Sequence, residues 1–294
     1  MKDSRLFAIF QRLTKKEIRA LDKFVRSPFH NQRQDVIALF KYLRSLPHPI
    51  NDSLLKKEVV FSHVFPNELY VEKKIRYTIS FLYQVIKEFL AIQNFRANKV
   101  LSEIAIMQTY RKKDIPQLFE QSFQTVTQLL EKSNWRQEDF HFQNYLLQNE
   151  RYLFTTHQTR GKAVGLVEYA HHLDHFFIIN KLRQAARALS HKTLSNSEFE
   201  PNFLSDILHY LHKKKEGDNP AIDIYYHCYK ILEVEHALPY FKQLRQLIAI
   251  HSHCFPVREL QDIYMFALNY CIKRLNAQAI AFGHEALALS LIHI

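Results

Sequence analysis

The chain has 294 residues, 47% apolar and 23% charged, a profile that excludes a disordered protein and leaves room for a sizeable core. Four glycines are too few for the turns and phosphate loops of sheet-rich or nucleotide-binding folds, so the composition points to helices joined by short connections. The formal charge of +11 is uneven: residues 1–113 hold 22 Lys and Arg against 10 Asp and Glu, and residues 114–294 hold 18 against 19. A basic first third suits a polyanion or an acidic protein, and it also suits a plain solvated helical surface.

Met1-Lys2-Asp3-Ser4-Arg5 is charged at once, with no apolar stretch behind it, so no signal peptide is expected. No uncharged apolar run reaches the roughly 18 residues a membrane span needs. Cys228, Cys254 and Cys271 include no C-x-x-C pair and read as reduced thiols in a cytoplasmic protein.

Leu6, Phe7, Phe10 and Leu13 mark a short first helix. Thr14 and Glu17 have capping-box spacing, flanked by Leu13 and Ile18 as a hydrophobic staple, so a second helix starts at Thr14. It must stop near Ser27-Pro28, because the residue before proline is pushed out of helical geometry. A third helix is predicted over 32–46, and a fourth, capped by Asn51 or Asp52, runs to Val64. The longest pattern covers 68–95, with Ile75, Ile79, Leu82, Ile86, Phe89 and Leu90 on one face; this helix is expected to brace the N-terminal unit.

Paired helices follow: 99–112 with 115–133, then 136–157, 161–172 and 174–191, then 201–215. In the next pair Ile222, Tyr225, Tyr229 and Leu232 stripe one helix, and Tyr240 or Phe241, Leu244, and Leu247 or Ile248 stripe a second that has Pro239 in its first turn. Tyr225 and Tyr229 are expected to be core. Val257 to Asn276 begins another unit. Such helices cannot bury both faces alone, so they must stack. The predicted fold is all-α: antiparallel helix pairs forming a degenerate tetratricopeptide-like α-solenoid, with an irregular bundle as the alternative. It divides into a basic unit at 1–95, a repeat region at 96–288 and a tail at 289–294.

The stretch Leu13 to Asn31 resembles the start of an uncharacterised bacterial family of helical-repeat proteins. Val64-Phe65-Pro66 with Lys74-Ile75-Arg76, Leu173 to Phe177 with Lys181-Leu182-Arg183, and Ala267 to Asn276 extend the resemblance over most of the chain. It implies a helical scaffold with no assigned reaction, and no functional residues to carry over. Ala277-Gln278 departs from it, where a glycine is expected. Leu289 to Ile294 resemble instead the translation of a transposon end used in shotgun libraries, which implies a gene continuing beyond Ala288; a genuine apolar helix tail is the alternative.

The densest group of ligand types is Glu168, His171, His172 and His175. On one unbroken helix His171 and His175 stand at i, i+4 and could share a metal with Glu168, whereas an N-cap at Asp174 would break that geometry. Seventeen histidines make local clusters common by chance, so no metal or other cofactor is expected. His251, His253 and Cys254 lack a second ligand pair, and His284-Glu285 lacks the second histidine of H-E-x-x-H. With no phosphate loop, nucleophile elbow or kinase set either, the chain is expected not to be an enzyme.

Lys15, Lys16, Arg19, Lys23 and Arg26 lie opposite Ile18, Leu21 and Val25 on the capped helix, and Lys73, Lys74 and Arg76 are candidates for the same surface. The leading expectation is a non-enzymatic scaffold binding a protein or peptide. The alternative is nucleic-acid binding through the phosphate backbone by this basic face.

Overall fold

Thr14 opens its helix as the spacing requires. Its hydroxyl accepts from the Glu17 amide at 3.2 Å, and Glu17 Oε2 accepts from the Thr14 amide at 2.7 Å, so both ends of the capping box close. Thr14→Ala is expected to cost about 1 kcal/mol in urea denaturation, the usual value of such a cap. This computed structural model describes residues 1–47, 51–158, 165–192, 201–213, 219–276 and 282–283. Among them every regular element is helical, and no helix is long and apolar enough to cross a membrane. The departure at Ala277-Gln278, the His284-Glu285 pair and the 289–294 tail lie outside the described residues.

The chain divides into two compact units, 1–99 and 100–294. The first contains α1 (Arg5–Phe10), α2 (Lys15–Val25), α3 (Gln34–Ser45), α4 (Lys57–Val64) and α5 (Glu72–Ala97). α5 packs against all four others and is the brace its length suggests. Its buried positions Ile75, Leu82, Val85, Ile86 and Phe89 meet Leu21, Val25, Leu39, Phe40 and Phe61 in one apolar core. Thr78 breaks the apolar stripe and is satisfied inside it, donating to Asp35 Oδ2 at 2.7 Å. The predicted fourth helix is in fact two pieces: Asn51 caps a single 3₁₀ turn at Asp52–Leu55, and α4 begins afresh at Lys57.

The second unit contains α6 (Lys99–Lys112), α7 (Pro116–Glu131), α8 (Glu138–Gln158), α9 (Leu166–Lys192), α10 (Leu204–Lys213), α11 (Pro220–Glu233), α12 (Leu238–His251) and α13 (Val257–Asn276). α9 is its axis, packing on α8, α10, α11 and α13. From Leu166 onward the two helices expected at 161–172 and 174–191 are one, while 161–164 lie outside the described residues. Asp174 caps nothing and sits exposed in mid-helix, because no proline or glycine interrupts the segment. The α11–α12 hairpin forms as predicted. Asn219 N-caps α11 by accepting from the amides of Ala221 and Ile222, and Pro220 occupies its first turn.

Two cores result within this unit. Ile104, Met107, Phe119, Val126, Leu130, Leu147 and Phe154 join α6, α7 and α8, with Phe119 and Phe154 stacked at 3.9 Å. The larger one gathers Ile179, Leu182, Ala186, Tyr225, Cys228, Leu244, Ile263 and Cys271 from α9, α11, α12 and α13. All three cysteines are buried and unbridged. Burial raises the Cys228 thiol pKa, so it behaves as a small apolar side chain.

Candidate functional site

The strongest concentration of charge chemistry lies in the second unit, where α8, α9, α11 and α13 each send one polar group inward. Arg183 on α9 is ion-paired with Glu138 on α8, lies 3.8 Å from Glu259 on α13, and donates to Asn180 Oδ1 at 2.9 Å. The Tyr225 hydroxyl on α11 donates to Glu259 Oε1 at 2.7 Å. Tyr225 is therefore core by burial, as its spacing predicts, and polar at its tip.

One arginine faces two carboxyl groups here, and the carboxyls cannot both ionise cheaply. Burial first, then the charge of Glu138, raises the Glu259 pKa to about 7. Glu138 Oε2 is buried without a hydrogen-bond partner among the described residues. A proton on Glu259 supplies the missing donor. Glu138 then carries the single negative charge that Arg183 balances. Of this group Arg183 and Glu259 line an open cleft of about 500 Å³, together with Gln137, Asp139, Arg187, Pro256, Arg258 and Asp262.

The histidines form a second cluster. His141 on α8, which sequence spacing did not connect with the others, lies between His172 and Asn219. Its Nδ1 is 3.0 Å from His172 Nδ1 and its Nε2 is 2.6 Å from Asn219 Nδ2. Asn219 Oδ1 is committed to the cap of α11, so its amide nitrogen faces His141 and donates. His141 Nε2 must then accept, and its Nδ1–H donates to His172. Burial, then the neighbouring histidines, lowers the His141 pKa to about 3; burial and His171 lower that of His172 to about 4. These rings are a neutral hydrogen-bonded chain.

The metal candidates His171 and His175 do share a face of α9, with ring centres 4.1 Å apart. Glu168, exposed, acts electrostatically on His172. Among the described residues no three potential ligands converge on a metal position. His253 Nε2 lies 3.4 Å from Cys254 Sγ, also without a third ligand.

The basic face of the first unit divides. Lys15, Lys16, Arg19, Lys23 and Arg26 all lie exposed within roughly 100° of arc on α2. Arg26 bonds Asp22 at 3.0 Å, and the other four make no ion pair among the described residues. Lys73, Lys74 and Arg76 on α5 have other neighbours. Lys74 pairs with Glu68 and lies over the Phe65 ring, Lys73 lies over Tyr77, and Arg76 lines a recess with Arg5 and Lys57.

Sequence periodicity missed what accompanies Lys73. Tyr77 and Phe81 follow it at steps of four, 53% and 46% exposed, and Leu69, Tyr70 and Val71 immediately before α5 are exposed as well. The Arg33 guanidinium covers the Phe81 ring at 4.1 Å. The first half of α5 thus presents two rings beside cations, and the segment leading into it adds exposed aliphatic groups. No family model matches the chain, and no curated protein or solved structure matches it.

Proposed function

We propose that the protein is a non-enzymatic helical scaffold that binds a protein or peptide partner, with the outer face of α5 as the contact surface. The observation that carries this is the exposed run Leu69, Tyr70, Val71, Tyr77 and Phe81 beside Lys73 and Arg33. Single exposed apolar residues are ordinary, but exposed rings one turn apart on α5, with exposed apolar side chains in the segment leading into it, suit a partner surface. The flanking cations favour a partner segment with apolar anchors and acidic neighbours. Packing of α9 on α11 and of α11 on α13 supports stacked helix pairs of degenerate tetratricopeptide type. Buried, unbridged thiols support a reducing compartment, the cytoplasm.

A displayed random-peptide library selected on the immobilised chain tests this reading. Enrichment of sequences combining aromatic or aliphatic residues with Asp or Glu is expected. Failure to enrich, or enrichment indifferent to Tyr77→Ser and Phe81→Ser, would reject it.

One observation favours a second reading: the four cations of α2 that lack an ion pair among the described residues. They suit phosphate-backbone contact, without base selectivity. Binding of a labelled RNA or DNA strand that weakens steeply between roughly 50 and 200 mM salt, and vanishes when Lys15, Lys16, Arg19 and Lys23 are changed to Glu, would put this reading first. No binding at low salt removes it.

A further inference from the structure

α5 carries a second seam besides the one that faces the core. Tyr77, Phe81, Gln84, Glu88, Ala91 and Phe95 are all exposed, and Phe95 is 48% so. They follow one another at steps of four and three in alternation, the heptad rhythm by which one helix receives another along its length. At 100° and 1.5 Å per residue they fall within about 80° of arc over about 27 Å. The apolar groups sit at the two ends, and Gln84 and Glu88 in the middle are polar.

At that middle the connection between α2 and α3 lies against α5. His30 Nδ1 is 2.8 Å from Glu88 Oε1, the His30 ring is stacked on Phe24 at 3.7 Å, and Phe29 meets it edge-on at 5.0 Å. Phe29 is 90% exposed, although the turn that carries it is tied down. The amides of His30 and Asn31 both donate to the Ser27 carbonyl, and buried Asn31 donates to the Val25 carbonyl at 2.9 Å while its Oδ1 accepts from the Arg33 amide at 3.1 Å. A ring held in water on such a turn is pre-organised as an anchor, because its backbone has little freedom left to lose on binding.

Building on α5 as the contact surface, we propose that this seam, with Phe29 beside its middle, receives a single amphipathic helix of about five turns, apolar along one stripe and acidic on its flanks. Spacing decides the form, since heptad steps on one helix match the knobs of another. Strand addition is closed to an extended peptide, because every regular element among the described residues is helical and offers no sheet edge. Charge decides the flanks. Lys73, over the Tyr77 ring, and Lys87, over the Tyr83 ring, stand two heptads apart along one side of the seam, and residues 1–113 hold 22 Lys and Arg against 10 Asp and Glu. A second copy on this seam would bring like charge to like, whereas an acidic helix complements it.

Selection on the immobilised full chain from a displayed library of three-heptad peptides tests the form of the partner, with positions a and d drawn from Leu, Ile, Met and Phe and positions e and g from Glu, Gln and Lys. Binders are expected to carry Glu at e and g. A synthesised binder should gain far-ultraviolet helical signal on titration with the chain, and a proline in its central heptad should remove binding. Phe29→Ser, Phe95→Ser, and Lys73→Glu with Lys87→Glu should each weaken it at least about tenfold, Phe29→Ser with unchanged melting temperature. No binder from this library, binders that gain no helix, or binders indifferent to Phe29→Ser or to Phe95→Ser would overturn the helical partner. The α5 contact itself then stands or falls with the dependence of random-library binders on Tyr77 and Phe81. A dimer of the free chain in sedimentation that Phe95→Ser dissociates would put a second copy on the seam and overturn the acidic helix as well.

Discussion

Arg183→Met lowers the stability of the second unit by about 3 to 5 kcal/mol in guanidinium denaturation, the loss typical of removing one member of a buried charge group. Its guanidinium is the counter-charge for Glu138 and the near neighbour of Glu259, and all three side chains are largely buried. Without it the Glu138 carboxylate keeps its desolvation penalty and loses the attraction that offsets it. Arg183→Lys should fall between, since an ammonium keeps the charge but cannot fork to Glu138 and Asn180 together. Removing both charges in Arg183→Met with Glu138→Met should regain most of the loss, because an apolar pair of similar volume needs no counter-charge. A loss below about 1 kcal/mol for Arg183→Met would place the group among exposed ion pairs of little consequence.

Between pH 8 and pH 5, Glu259→Gln changes from more stable than the parent to nearly equal to it. The sign follows from proton counts. Glu259 has its pKa raised from 4.5 to about 7 in the fold, so across that window the folded chain binds a proton that the unfolded chain has released. Stability from this group therefore falls as pH rises from 4.5 to about 7 and stays low above it. The full difference is about 3 kcal/mol. Gln mimics the protonated acid and can donate to Glu138 Oε2 at every pH.

The histidines act in the opposite direction. His141 has its pKa lowered from 6.5 to about 3 and His172 to about 4, so their stability is fully present above pH 6.5 and is lost as pH falls below it. Protonated His141 could no longer accept from Asn219, which would pull on the cap of α11. In the parent chain the Glu259 gain offsets part of this acid loss. Glu259→Gln should therefore also make acid unfolding steeper, measured as urea midpoints from pH 8 to pH 4. A variant whose midpoints track the parent at all pH values would contradict the shared proton.

What was legible in the sequence was local. Thr14 and Glu17 are three residues apart and act on each other's backbone, so their motif needs nothing distant. The α2 cations, the α5 brace and the α11–α12 hairpin are single-helix or neighbour-helix patterns, and periodicity reports which face of a helix is apolar. It does not report what the polar exceptions meet. Glu138, Arg183, Tyr225 and Glu259 come from four helices and form one group only when those helices pack. Asp174 has the residue type of a cap without the break that would make it one, and only the continuous backbone of α9 decides between the two. His141 and Asn219 lie far apart in the chain, and their bond depends on α8 lying beside the start of α11. The exposure of Tyr77 and Phe81 was equally out of reach, since an aromatic at helical spacing is more often core.

Partner binding at the proposed α5 surface is tested most directly by the affinity of one selected peptide for two forms of the chain. Titration calorimetry of that peptide against the parent and against Tyr77→Ser with Phe81→Ser should show a loss of at least about tenfold, the usual weight of aromatic anchors, with unchanged melting temperature. Equal affinity for both forms would contradict it.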